Sequence, residues 1–135
     1  MDANRTVRFT LGGVLFEYDE EKNRVNIRKH GISFRSAARV FFDYDRIEMY
    51  DEENSSTEDR YDTIGDTSAG NLARGSGTVI GNVDVSLESV NDILFVVYTE
   101  RSAAVENGQT VDITRLISAR MATSFERGLY YGKYE

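Results

Sequence analysis

The chain contains no cysteine and only one histidine. The first absence excludes disulfides and thiolate metal sites, and the second excludes a site built from several imidazoles. Carboxylate-bound magnesium stays open but has no supporting pattern, and no cofactor is expected. No apolar run approaches the roughly 20 residues that a membrane helix requires. The opening MDANRTVRFT lacks the apolar stretch of a signal peptide. The expected location is therefore cytoplasmic, with no membrane partner. Positive charge is scarce as well: 16 basic residues stand against 23 acidic ones, a formal charge of -7. Such a balance argues against gripping nucleic acid over a broad face and leaves room only for local contacts.

What is present suits one folded unit. A chain of 135 residues, 40% of them hydrophobic, can bury a single core, and residues 1–135 read as one domain. Charge is unevenly spread. Asp51, Glu52, Glu53, Glu58 and Asp59 fall in nine residues without a base, whereas Arg115, Arg120 and Arg127 are accompanied by one acid, Glu126. The acidic run reads either as a solvated loop or as a docking surface for a basic partner.

Thr6 to Tyr18 alternates on either side of Gly12-Gly13, which predicts two short strands joined by a tight turn. Asp19 is placed to cap a helix over Glu20–Lys29, with acids in its first turn and Arg28, Lys29 and His30 before Gly31. Ser33 is placed to cap a second helix ending near Phe42, whose Phe34, Ala37, Ala38 and Phe41 form one buried stripe. Arg46–Asp51 and Arg60–Gly65 read as a strand pair around the acidic connection. Asp66–Asp92, rich in Gly, Ser and Asn, reads as a long inserted loop with a ribbon at Thr78–Leu87. Ile93–Thr99 is apolar on both alternating sets, as a strand buried on both faces requires, and Asn107-Gly108 turns it into a partner at Val111–Ser118. Thr123 and Glu126 fit a capping box opening a last helix that runs to about Tyr131. The expected class is α+β: two N-terminal helices, an antiparallel sheet and a C-terminal helix.

Several groups have the chemistry of a site. Asp19, Lys22, Asn26 and Lys29 or His30 recur at helical spacing along one polar face, which is either a nucleic-acid surface or an ordinary solvated one. His30, near a helix C-terminus, either caps the helix or serves as a cation that donates a proton. Arg60, Arg101, Arg115 and Arg120 lie on or beside strands. Arg101 and Arg115 should be neighbours across a hairpin, a repulsive arrangement unless carboxylates or a phosphate compensate. Glu58, Glu100 and Asp112 are candidates for simple neutralisation.

Four blocks carry a resemblance: FEYDEEKNRVNIRKHGISFRSAARVFFD (Phe16 to Asp43), EDRYDTIG (Glu58 to Gly65), LFVVYTER (Leu94 to Arg101) and TRLISARMATSFERGLYY (Thr114 to Tyr131). In order and rough spacing they resemble the BrnT family of toxins, KHGISF being the most specific segment and ISAR the next. The resemblance implies a RelE-like fold and an endoribonuclease of a type II toxin-antitoxin system. Such an enzyme cuts RNA without metal, inhibits translation and is neutralised by a ribbon-helix-helix, BrnA-like antitoxin through which alone it meets DNA. On that template Arg60, Arg101 and Arg120 bind phosphate and transition-state charge, and His30 or Glu58 serves as acid or base. Tyr18, Lys22, Lys29 and Arg115 contact the RNA. The chain departs from the family pattern at Tyr18 for a usual Trp, Asn54 for a common His, Met121 for a usual Lys, and in the long Asp66–Asp92 segment. These departures keep open an alternative, a catalytically weak or inactive protein-binding module on the same fold.

Overall fold

The computed structural model describes residues 5–69 and 92–132. The ribbon expected at Thr78–Leu87 lies outside those residues. Thr6–Leu11 (β1) and Val14–Asp19 (β2) pair antiparallel through Gly12 and Gly13, both at positive φ as a tight hairpin turn demands. Glu20–His30 (α1) follows and stops at Gly31, whose left-handed backbone lets its N–H reach Ile27 O. Asp19 stands at the N-cap position, but its side chain makes no capping bond. Ser33 does cap, its Oγ accepting from Ser36 N, yet the second helix is a single turn, Phe34–Ala37 (α2), continued by a 3-10 turn over Ala38–Phe42.

Ile47–Tyr50 (β3), Tyr61–Asp66 (β4), Ile93–Ala104 (β5) and Thr110–Met121 (β6) complete a six-stranded sheet in the order β1-β2-β6-β5-β4-β3. The hairpin expected ahead of both helices is present and joins the sheet, and the expectation of an antiparallel sheet is corrected at one pairing: β2 joins β6 in parallel at Phe16↔Thr114 and Glu17↔Arg115. The other pairings are antiparallel. Ser124–Gly132 (α3) closes the chain behind the expected capping box: Glu126 N donates to Thr123 Oγ1 at 3.2 Å and Thr123 N to Glu126 Oε1 at 2.9 Å. Among the described residues no helix is long and apolar enough to cross a membrane.

Because strand side chains alternate, each face can be read from the register. Phe16 and Tyr18, Leu94, Val96 and Tyr98, and Leu116 and Ala119 point to the face covered by Ile32, Phe34, Ala37, Ala38 and Val40, and together form the main core. Gly65 admits the 3-10 turn, since a Cβ there would sit 3.0 Å from Val40 Cβ and 3.2 Å from its carbonyl. A smaller cluster of Ile64, Ile93 and Tyr130 seats α3 on the far end of the opposite face. Tyr130 OH donates to buried Asp43 Oδ2 at 2.6 Å, and Asp66 N donates to the same oxygen at 2.8 Å.

β2 accompanies β6 for only two residues, and α1 supplies what the strand lacks beyond them. Asn26 Nδ2 donates to Ala119 O at 2.8 Å while Ala119 N donates to Asn26 Oδ1 at 3.1 Å. The side-chain amide thus repeats a ladder pair. Its second Nδ2 proton goes to Ile32 O at 2.9 Å. Asn26 is 6% exposed, so the reading of Asp19, Lys22, Asn26 and Lys29 as one open polar face fails at its centre.

Candidate active site

The face left partly open by α3 carries the arginines, and the register arranges them in rows. Directly paired residues share a face, about 4.8 Å apart across strands, and the next row on that face lies about 7 Å along. One row runs Arg8, Glu17, Arg115, Thr99 through the pairs Arg8↔Glu17, Glu17↔Arg115 and Thr99↔Arg115. Arg60 extends it from just before β4, where its carbonyl accepts from Asp51 N at 2.9 Å. The next row is Ser118, Val97, Asp62 and Met49, and the one after it Arg120, Phe95, Ile64 and Ile47. Arg101, opposite Ile113, lies on the other side of the first row.

Glu17 organises the first row. It is 3% exposed between Phe16 and Tyr18, and accepts from Arg8 Nε at 2.9 Å and Arg115 Nη1 at 2.8 Å, with Arg101 Nη1 at 3.6 Å. Burial pushes its carboxyl up, but the guanidinium bonds of Arg115 and Arg8 outweigh that and hold it below the usual carboxylate range. Arg101 turns its other nitrogen to Glu58, 3.2 Å from both carboxyl oxygens. Three guanidinium groups therefore share two carboxylates, leaving one formal positive charge on a patch where Arg8 and Arg101 are substantially exposed.

At the other end Arg120 lies over the Phe95 ring, 4.2 Å from its centroid, and forks onto Glu126 at 2.8 and 2.9 Å. Between these ends stands Asp62. Its carboxyl is raised to about 7, first by burial, then by a hydrogen bond and repulsion from Asp51, with Arg120 opposing and Glu126 adding to the rise. Asp51 is lowered, chiefly because Asn54 donates to both of its oxygens at 3.1 and 3.0 Å. Asn54 thus anchors the acid beside Asp62. Asp62 Oδ1 and Arg60 Nε are shut off from solvent without a hydrogen-bond partner.

Of the residues singled out from sequence, the structure gathers Glu58, Arg60, Arg101, Arg115 and Arg120 on this face. Arg101 lies within β5, and Arg120 within β6 rather than beyond it. Lys22, Lys29 and His30 are exposed on α1, outside the rows. Tyr18 requires a correction. Only 4% exposed, its ring packs against Phe9 and Phe34 and has no surface on which a base could stack. Arg8, Glu17 and Asp62 were missed. Glu17 had a signal, a carboxylate between two aromatics within a strand that is apolar from Val14 to Phe16; Asp62 becomes visible only once β3, β4 and β6 are aligned. Glu100, one of the expected neutralisers, faces Thr114 instead.

A sheet face on which Arg8, Arg60, Arg101, Arg115 and Arg120 gather defines a class of surface suited to phosphodiesters. A model of the family described as ribonuclease toxin, BrnT, of type II toxin-antitoxin system matches residues 18–85, half of the chain. The chain belongs to that family, and an antitoxin is accordingly its partner. No curated protein matches it.

Proposed function

We propose that the arginine rows form the active face of a metal-independent endoribonuclease that inhibits translation in the cytoplasm. On this reading residues 1–135 make one RelE-like domain, with an insertion at about 66–92, neutralised by a ribbon-helix-helix antitoxin. The observation that carries the reading is the row Arg8, Glu17, Arg115, Thr99 and Arg60, in which the buried Glu17 carboxylate holds the Arg8 and Arg115 guanidinium groups on one face of the sheet.

The chemistry asked of this face is modest. The adjacent 2'-hydroxyl is the nucleophile, so the protein has to orient the backbone, move protons and stabilise charge on the phosphate. Arg60 and Arg101 take the scissile phosphate, Arg115 and Arg8 a neighbouring one, and Arg120 adds charge from the last row. Glu58, within reach of Arg101, takes the proton of the nucleophile. Lys22, Lys29 and His30 contact flanking nucleotides from α1.

A second reading, a binding module without catalysis, draws support from the bidentate hold of Glu126 on Arg120 and of Glu58 on Arg101. Induced expression in bacteria separates the two. Growth arrest with fragmented RNA, lost in Arg101→Ala and Arg120→Ala chains that remain folded, supports the ribonuclease. Normal growth and intact RNA with a folded, abundant natural chain select the binding module.

A further inference from the structure

Cleavage by an internal hydroxyl expels a ribose 5'-oxygen, a poor leaving group unless a proton reaches it, and none of the residues assigned above supplies one. Asp62 is placed to do so. It occupies the row between the Arg60 and Arg120 rows, about 7 Å from each along the strands. The residue is partly exposed, with Oδ1 sealed and unpartnered and its neighbour Arg60 Nε likewise unpartnered. The charged groups acting on it are Asp51 after β3, Arg120 on β6 and Glu126 on α3, with Arg60 two residues before it at the head of β4 and uncharged Val97 opposite it on β5. Asp51, gripped by Asn54, is the acceptor that makes the protonated form of Asp62 the favourable one.

Resting on the ribonuclease reading, we infer that Asp62, on the arginine-bearing face between Arg60 and Arg120, is the general acid of the cleavage. The 2'-oxygen bonds to phosphorus as the bond from phosphorus to the 5'-oxygen breaks. The Asp62 proton passes to that oxygen, which leaves as a hydroxyl, while the 2'-hydroxyl proton goes to Glu58. The products are a 2',3'-cyclic phosphate and a free 5'-hydroxyl, and Asp62 and Glu58 recover their starting states by exchange with water. Burial and the Asp51 carboxylate keep Asp62 protonated up to about pH 7, so the donor form is populated where the enzyme works. The carboxylate produced lies in the field of the Arg120 guanidinium.

The test uses an oligoribonucleotide spanning a site that the natural chain cuts, made with an ordinary 5'-oxygen or with bridging sulfur, whose thiolate departs without a proton. Asp62→Asn should cut the oxygen substrate slower by about 100-fold or more and the sulfur substrate within a few-fold of the natural chain. The fall in the natural chain's rate as pH rises through 7 should be absent from the variant. Equal slowing of both substrates, or no slowing of either, overturns the assignment. So does a carboxyl carbon NMR titration of the folded natural chain that places Asp62 near 4. A folded natural chain that cuts no RNA overturns the ribonuclease reading and this inference together, whereas cleavage with no sulfur rescue overturns the inference alone.

Discussion

Two carboxylates on one sheet face titrate in opposite directions because their neighbours differ. Glu17 is buried among arginines, so its contribution to stability is present above its ordinary 4.5 and lost as pH falls through its lowered folded value. Glu17→Gln should cost about 3 kcal/mol at pH 7 by urea unfolding, the scale for removing one partner of a buried charge cluster after allowance for its half-exposed arginines. Asp62 behaves inversely. Between pH 4 and 7 the folded chain keeps a proton that the unfolded chain releases, so this group's contribution to stability declines as pH rises through that window. Asp62→Asn cannot ionise. Its Tm should exceed that of the natural chain at pH 8 and match it near pH 4; an equal difference at both would show that Asp62 is not raised. The gain in stability on losing the acid is the behaviour expected of a group placed for chemistry rather than for folding.

Local signals accounted for most elements. Paired glycines marked the first hairpin, Asn107-Gly108 the central one, and Thr123 with Glu126 the last helix, each tied to a backbone geometry that few residues supply. What sequence left hidden depended on pairing at long range. Nothing near Phe16 announces that β2 runs parallel to β6 nearly 100 positions later. The helical spacing of Asn26 suggested solvent, whereas its amide completes the edge of β6. Asn26→Ala should therefore cost about 3 kcal/mol, because it leaves buried groups of Ala119 and Ile32 unpaired, and a loss under 1 kcal/mol in urea unfolding would contradict the role given to it. The same limit applied to the site. Arg60, Arg101, Arg115 and Arg120 could be grouped from sequence because each sits on or beside a strand. Tyr18 could not be placed inside or outside without knowing which face of β2 meets the helices.

Across the whole molecule a net charge of -7 coexists with a cluster of guanidinium groups in which Glu17 and Glu58 offset two of three charges and leave one formal positive charge. Arg8, Arg60, Arg101, Arg115 and Arg120 occupy one sheet face, and most acids of residues 51–59 crowd the connection between β3 and β4 beside it. Such a pairing suits a partner with basic segments, so reversing Glu52, Glu53 and Asp59 to Lys should weaken antitoxin binding and flatten its salt dependence. Unchanged affinity and salt dependence would remove this loop from the interface. The central claim is that the arginine rows cut RNA without metal. Its most direct test is incubation of the purified chain with a messenger RNA in excess EDTA, beside folded Arg60→Ala and Arg101→Ala variants. The account predicts cleavage by the natural chain that persists in EDTA and is lost in both variants; RNA left intact by the natural chain, or cut equally by all three, would contradict it.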